Sequence, residues 1–134
     1  MTSSSPPTPP KFVADRALGK TVPAILRNHG WNVVMIQDEF PDDAKNVSDI
    51  EWLQWASDNA DGALTKDAAI RRQPSYQQSK IPIFCLANQQ LKLDAMAELY
   101  LRHEKKIWRV SDQHSGRAFW QIYTDGSIRR LDPS

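Results

Sequence analysis

Apolar positions along the chain fall into a few continuous runs and a few helical stripes, separated by polar punctuation. The run Lys11-Phe-Val-Ala-Asp15 predicts a short strand over 11–15. A helix is expected over 21–30, with Pro23 in its first turn and Gly30 where a C-terminal stop belongs. Trp31-Asn-Val-Val-Met-Ile36 is rich in β-branched residues and reads as a buried strand, and 37–47 as a polar loop. Ser48-Asp-Ile-Glu51 has the form of a capping box, so a helix begins there and runs to about 59. Gly62-Ala-Leu-Thr65 is a candidate third strand, and the apolar run 81–87 a further one. From Leu93 to about 105 the pattern is amphipathic, with Met96, Ala97, Tyr100 and Leu101 on one face. Ile107-Trp-Arg-Val110 reads as a short strand. Runs 118–124 and 127–131 flank Asp125-Gly126, a hairpin turn signal.

Strands alternating with helices imply an α/β domain: a mainly parallel sheet with helices on both faces, closed by an antiparallel hairpin. With 134 residues the chain fits one domain. Its Ser/Pro-rich start, 1–10, is expected to be a disordered tail, leaving 11–134 as the domain. No apolar stretch approaches membrane-spanning length and no signal-peptide segment opens the chain, so the expected location is the cytoplasm, away from membranes.

The net charge of +1 argues for no partner, but the distribution is uneven. Asp38, Glu39, Asp42, Asp43, Asp49, Glu51, Asp58 and Asp61 make the middle acidic, and Lys105, Lys106, Arg109, Arg117, Arg129 and Arg130 make the last third basic. Such a layout suits a metal site handling a polyanion, and equally a mixed solvated surface. The single cysteine, Cys85, lies in an apolar run and reads as a buried small hydrophobe, which excludes a thiolate metal site. His29, His103 and His114 share no metal-ligand spacing; the first two read as helix C-terminal cations. No Ser-His-Asp arrangement is arguable, and the five glycines are too scattered for a phosphate-cradling loop. A phosphoacceptor signalling domain is disfavoured because Asp15 is followed by Arg16 rather than another acid, and Ala87-Asn88 stands where a lysine is needed.

Three acids stand out by placement. Asp15 ends the first strand and Asp67 follows the third, so both fall beyond carboxyl strand ends, where open α/β sheets bind ligands. Asp49 shares the stripe 49, 52, 53, 56 with Trp52, Leu53 and Ala56, and a carboxylate atop a buried stripe needs a partner. Mg2+ or Mn2+ held by carboxylate oxygens is one such partner. For a second ion, Asp38 and Glu39 after the second strand are the nearest additional acids. Each acid also has a structural reading: Asp15 as a turn residue before Gly19, Asp49 as a first-turn acid favoured by the helix dipole, and Asp67 as the N-cap of a short helix over 68–71. Arg16, Lys66, Arg71 and Arg72 flank these acids and are candidate phosphate-binding residues or plain surface cations. Trp108, Trp120 and Tyr123 among the C-terminal basic residues suit either sheet packing or stacking on single-stranded RNA.

The strings Asp15-Arg-Ala-Leu-Gly19, Val22-Pro23, Leu26-Arg27 before Gly30, Asp49-Ile-Glu-Trp52, Leu64-Thr-Lys-Asp67 and Ile70-Arg-Arg-Gln-Pro74, in that order, resemble a branch of the PIN-like domains related to VapC-type toxin ribonucleases. The resemblance spans roughly 11–131. It implies a three-layer α/β/α fold and a Mg2+- or Mn2+-dependent ribonuclease. Asp15, Asp49 and Asp67 are then metal ligands, and Thr65 positions the acid or the phosphate. It also implies an RNA substrate, an antitoxin partner and often a homodimer. A catalytically inactive PIN-like module that binds RNA or protein is the alternative.

Overall fold

The computed structural model describes residues 8–88, 90–114 and 116–131. Residues 1–7 of the expected tail lie outside this set, whereas Pro10 is already buried against the domain. Among the described residues, six strands form one sheet: β1 (Lys11–Ala14), β2 (Asn32–Met35), β3 (Gly62–Thr65), β4 (Pro82–Leu86), β5 (Ala118–Ile122) and β6 (Ile128–Arg130). Their spatial order is β2-β1-β3-β4-β5-β6, parallel throughout except for the antiparallel β5–β6 hairpin. The expected architecture is therefore present.

The helices are α1 (Thr21–Asn28), α2 (Ile36–Glu39), α3 (Asp49–Asn59), α4 (Pro74–Gln77), α5 (Leu93–Arg102) and α6 (Glu104–Asp112). The central strands are buried on both faces, which explains their unbroken apolar runs. Alternate residues split between two cores. Phe12, Ala14, Leu64, Phe84 and Leu86 meet Val22 and Leu26 of α1, Met96 and Tyr100 of α5, and Ile107 of α6. Val13, Ala63, Ile83 and Cys85 meet Trp52, Leu53 and Ala56 of α3 and Tyr76 of α4. Cys85 is fully buried, and desolvation pushes its thiol up to about 12, so it packs as an apolar group.

The predicted capping box is formed. Ser48 Oγ accepts from Glu51 N at 3.2 Å, and Ser48 N donates to Glu51 Oε1 at 3.5 Å. The hairpin turns through 124–126 with Gly126 at φ 90°, a conformation that disfavours a side chain.

Several expectations need correction. The strand expected over 107–110 is part of α6, with Ile107 and Ser111 buried four residues apart on one face. Ile, Trp and Val suggested a strand, but the charged residues at 105, 106, 109 and 112 leave a helical stripe that packs on the core. The helix expected to run to about 105 breaks at His103, where the backbone turns (φ −104°, ψ 18°) before α6 begins. The loop expected over 37–47 contains most of α2 and a 3-10 turn at Asp42–Ala44, and Ile36 opens α2 instead of closing β2. Pro74–Gln77 forms a helical turn that the pattern does not reveal. His103, expected as a cation, has its pKa lowered chiefly by burial, so its neutral form is favoured. Among the described residues, no helix is long and apolar enough to cross a membrane.

Candidate functional site

The chain passes from β1 outward to β2, then returns across β1 to β3. In open α/β sheets such a reversal of strand order marks the carboxyl ends of the strands on either side, here β1 and β3, as the place where ligands bind. Asp15 directly follows β1 there, Thr65 is the last residue of β3, and Asp67 stands two residues beyond it. β1 and β3 pair in parallel, with Ala14 opposite Leu64, so Asp15 and Thr65 come side by side although fifty residues apart in sequence.

Asp15 is only 9% exposed. Its Oδ2 accepts from Thr65 Oγ1 at 2.8 Å, and its Oδ1 receives a long contact from Ala17 N at 3.4 Å. Burial raises its pKa above the ordinary 3.8; the Thr65 and Ala17 bonds oppose that shift, and the charges of Asp49 and Asp67 add to it. Asp49 and Asp67 thus both act electrostatically on Asp15.

Thr65, fully buried, serves both strand-end acids: while donating to Asp15 it accepts from Asp67 N at 3.0 Å. From the opposite face of the sheet the buried Tyr100 hydroxyl lies 3.0 Å from both the Thr65 and Phe84 carbonyls, fixing the ends of β3 and β4. Asp67 Oδ1 accepts from Ala69 N at 3.0 Å, capping a 3-10 turn over Ala68–Arg72. The structural reading of Asp67, as the N-cap of a short helix there, is therefore met.

Asp49 is half-buried in the first turn of α3, above the stripe Trp52, Leu53 and Ala56 that the spacing predicted. Its two oxygens are clamped: Trp52 Nε1 donates to Oδ1 and Gln73 Nε2 to Oδ2, each at 2.9 Å. Neither clamp was recognised from sequence as part of the site. The signals were the three-residue spacing from Asp49 to Trp52 and the position of Gln73 directly before Pro74. Gln37 was missed as well. It is buried just beyond β2, its Nε2 donates to the Gly19 carbonyl at 3.3 Å, and its Oε1 has no partner among the described residues.

The flanking cations are placed unevenly. Arg16 and Arg72 are exposed, Lys66 is half-buried between Thr65 and Asp67, and Arg71 lays its guanidinium 5.9 Å from the centre of the Phe119 ring. Asp38 and Glu39 are exposed on α2. Among the aromatics, Trp108 packs on Trp31 from α6, whereas Trp120 carries Lys106 at 4.9 Å and Tyr123 carries Arg129 at 5.9 Å.

Among the described residues, no three His, Cys, Asp or Glu side chains gather closely enough to hold an ion by themselves. The donor set fits a hard cation held by one or two carboxylates, with water or phosphate oxygens completing its shell. The raised pKa of Asp15 beside two like charges, and the orphaned acceptor of Gln37 at the same end of the sheet, are features such an ion and its waters would satisfy.

No curated protein and no solved structure matches the chain. One family does, over residues 10–88, which takes in β1 through β4 together with Asp15, Asp49, Thr65 and Asp67. Such membership is consistent with a nuclease-type function. With more than half its length matched, and with acids at the carboxyl ends of a sheet of this topology, the chain belongs to the PIN-like domain family.

Proposed function

We propose that the protein is a Mg2+- or Mn2+-dependent endoribonuclease of the VapC-related kind. The observation that carries this reading is the buried Asp15, bonded to Thr65 at 2.8 Å and raised in pKa beside Asp49 and Asp67. A carboxylate kept in a desolvated site next to like charges is costly in a resting fold and serves a site that receives positive charge.

Asp15 and Asp67 would hold the ion, with Asp49 reaching it directly or through water. Bound there, a divalent ion would supply charge stabilisation for the phosphate and a more acidic water. Thr65 orients Asp15 and favours its ionised form. A strand-end carboxylate would accept the proton released when water attacks phosphorus. Arg16, Lys66 and Arg72 line the approach for neighbouring phosphates. Arg71, turned onto Phe119, contributes through its positive field. The same reading extends to an antitoxin partner, a homodimer and a cytoplasmic location.

A second reading, a catalytically silent module that binds RNA or protein, draws on the clamped Asp49, whose oxygens are both occupied. Incubation of purified protein with mixed single-stranded RNA separates the two. Cleavage that requires Mn2+ or Mg2+, stops with EDTA and is lost in Asp15→Asn and Asp67→Asn supports the enzyme. Folded protein that cleaves under no metal supports the silent module.

A further inference from the structure

A cavity of about 380 Å3 lies between α3 and α4, in the size range of roughly 300–1,000 Å3 typical of small-molecule sites. Its walls are joined beside the acids. Gln73, directly before α4, donates to Asp49, the first residue of α3, so the near end of the groove, at Ile50 and Ser75, begins within a residue or two of this Asp49–Gln73 contact.

The lining is neutral and two-sided. Leu53 and Ile50, the latter 57% exposed, supply apolar surface, while Gln54, Gln78 and Ser75 supply amide and hydroxyl groups. The cation in the lining, Lys80, lies 3.7 Å from the Asp58 carboxylate, so the far end carries little net charge. The counter-charge a phosphate would meet in such a groove, Lys80, already lies against Asp58, whereas a flat group with apolar faces and a polar edge has surfaces for both.

Ser75 adds an independent observation. It is 9% exposed, it lines the groove, and its Oγ has no hydrogen-bond partner among the described residues. A buried hydroxyl left unpaired is uncommon and calls for an explanation, and a bound polar edge provides one.

We infer that the groove between α3 and α4 receives a base of the RNA strand whose phosphate lies at Asp15 and Asp67, a proposal that rests on the ribonuclease reading. Unstacked bases of single strands are recognised in this manner, by side-chain hydrogen bonds to their edges and contact with their faces. Glutamine amides are suited to paired donor and acceptor contacts with a base edge. The groove would make binding depend on a base of the strand, while the acids act on the backbone alone.

The test measures binding in EDTA, so that no cleavage intervenes. A labelled mixed-sequence oligoribonucleotide is compared with a matched abasic ribose-phosphate oligomer. The full-length wild type, Ser75→Ala and the double variant Gln54→Ala/Gln78→Ala are each titrated and melted. Because Ser75 Oγ makes no bond in the free protein, Ser75→Ala should leave the melting temperature unchanged or slightly raised. Both variants should bind the base-bearing oligomer about 3- to 10-fold more weakly and the abasic one unchanged. Equal losses on both oligomers, or no loss on either, overturn the groove assignment and leave the cavity for a protein segment, while the ribonuclease reading stands. Wild-type protein that binds neither oligomer overturns the nucleic-acid reading and the groove assignment with it.

Discussion

β1 and β3 lie side by side, and each end of the pair carries an acid whose situation is opposite to that at the other end. At the amino-terminal end, Asp61 precedes β3 and closes onto the start of β1. Its Oδ2 accepts from Lys11 N at 2.8 Å, its own N–H donates to the Lys11 carbonyl at 2.7 Å, and His114 Nδ1 lies 3.7 Å from Oδ1. That carboxylate is partly solvated and ties the strand ends together. At the carboxyl end, Asp15 is buried, has one good donor in Thr65, and faces the charges of Asp49 and Asp67. The strands and residue type are the same, yet one aspartate stabilises the fold and the other burdens it. The difference shows where selection has accepted a cost in stability, which is the usual mark of a site.

The sharpest way to break the comparison is to remove charge from each end. Asp15→Asn is expected to abolish metal-dependent cleavage and the stabilisation that Mn2+ confers in thermal melts. Without metal at neutral pH it should melt higher than wild type. Asp61→Ala should do the reverse, costing about 1.5–3 kcal/mol in denaturant melts while leaving cleavage and the Mn2+ response intact. If both variants lose stability alike, the contrast between the ends is wrong.

Proton linkage sharpens the same contrast. Because burial raises the folded-state pKa of Asp15 above 3.8, the folded protein holds this proton more tightly than the unfolded chain. The stability contributed by Asp15 is greatest below about 3.8 and declines as pH rises from there through its raised folded value. Melting temperature measured against pH without metal should show that decline in wild type and lack it in Asp15→Asn.

Thr65→Val keeps the shape but removes the donor to Asp15 and the acceptor for Asp67 N, at a cost of about 1–3 kcal/mol. It should also raise the Asp15 pKa further, readable as a carboxyl signal in an NMR titration, because the lost bond favours the ionised form. The smallest effect is expected from Gln73→Ala, about 1 kcal/mol, because Asp49 keeps its bond from Trp52. By freeing Asp49 Oδ2 this variant should strengthen Mn2+ binding measured calorimetrically. Unchanged binding would place Asp49 among the structural acids with Asp61.

Much of this was legible before any coordinates. The strands at 11–15, 62–65 and 81–87, the capping box at Ser48, the hairpin at Asp125-Gly126 and the stripe beneath Asp49 all follow from hydrophobic period and turn chemistry, which act between near neighbours. Acids placed just after strands were sufficient to nominate Asp15 and Asp67. What the chain alone did not reveal depends on distant partners. Residues 107–110 have strand-like side chains but form a helix, because α6 buries Ile107 and Ser111 on the sheet and Glu104 accepts from Trp31 Nε1 at 2.7 Å. The clamp of Gln73 on Asp49 joins residues 24 positions apart, and the order β2-β1-β3 alone brings Thr65 beside Asp15. Local pattern determined which segments are strands and helices and which acids end them. Tertiary packing decided which acids meet, which are satisfied and which remain exposed to one another's charge, because those outcomes depend on long-range pairing that no local period encodes.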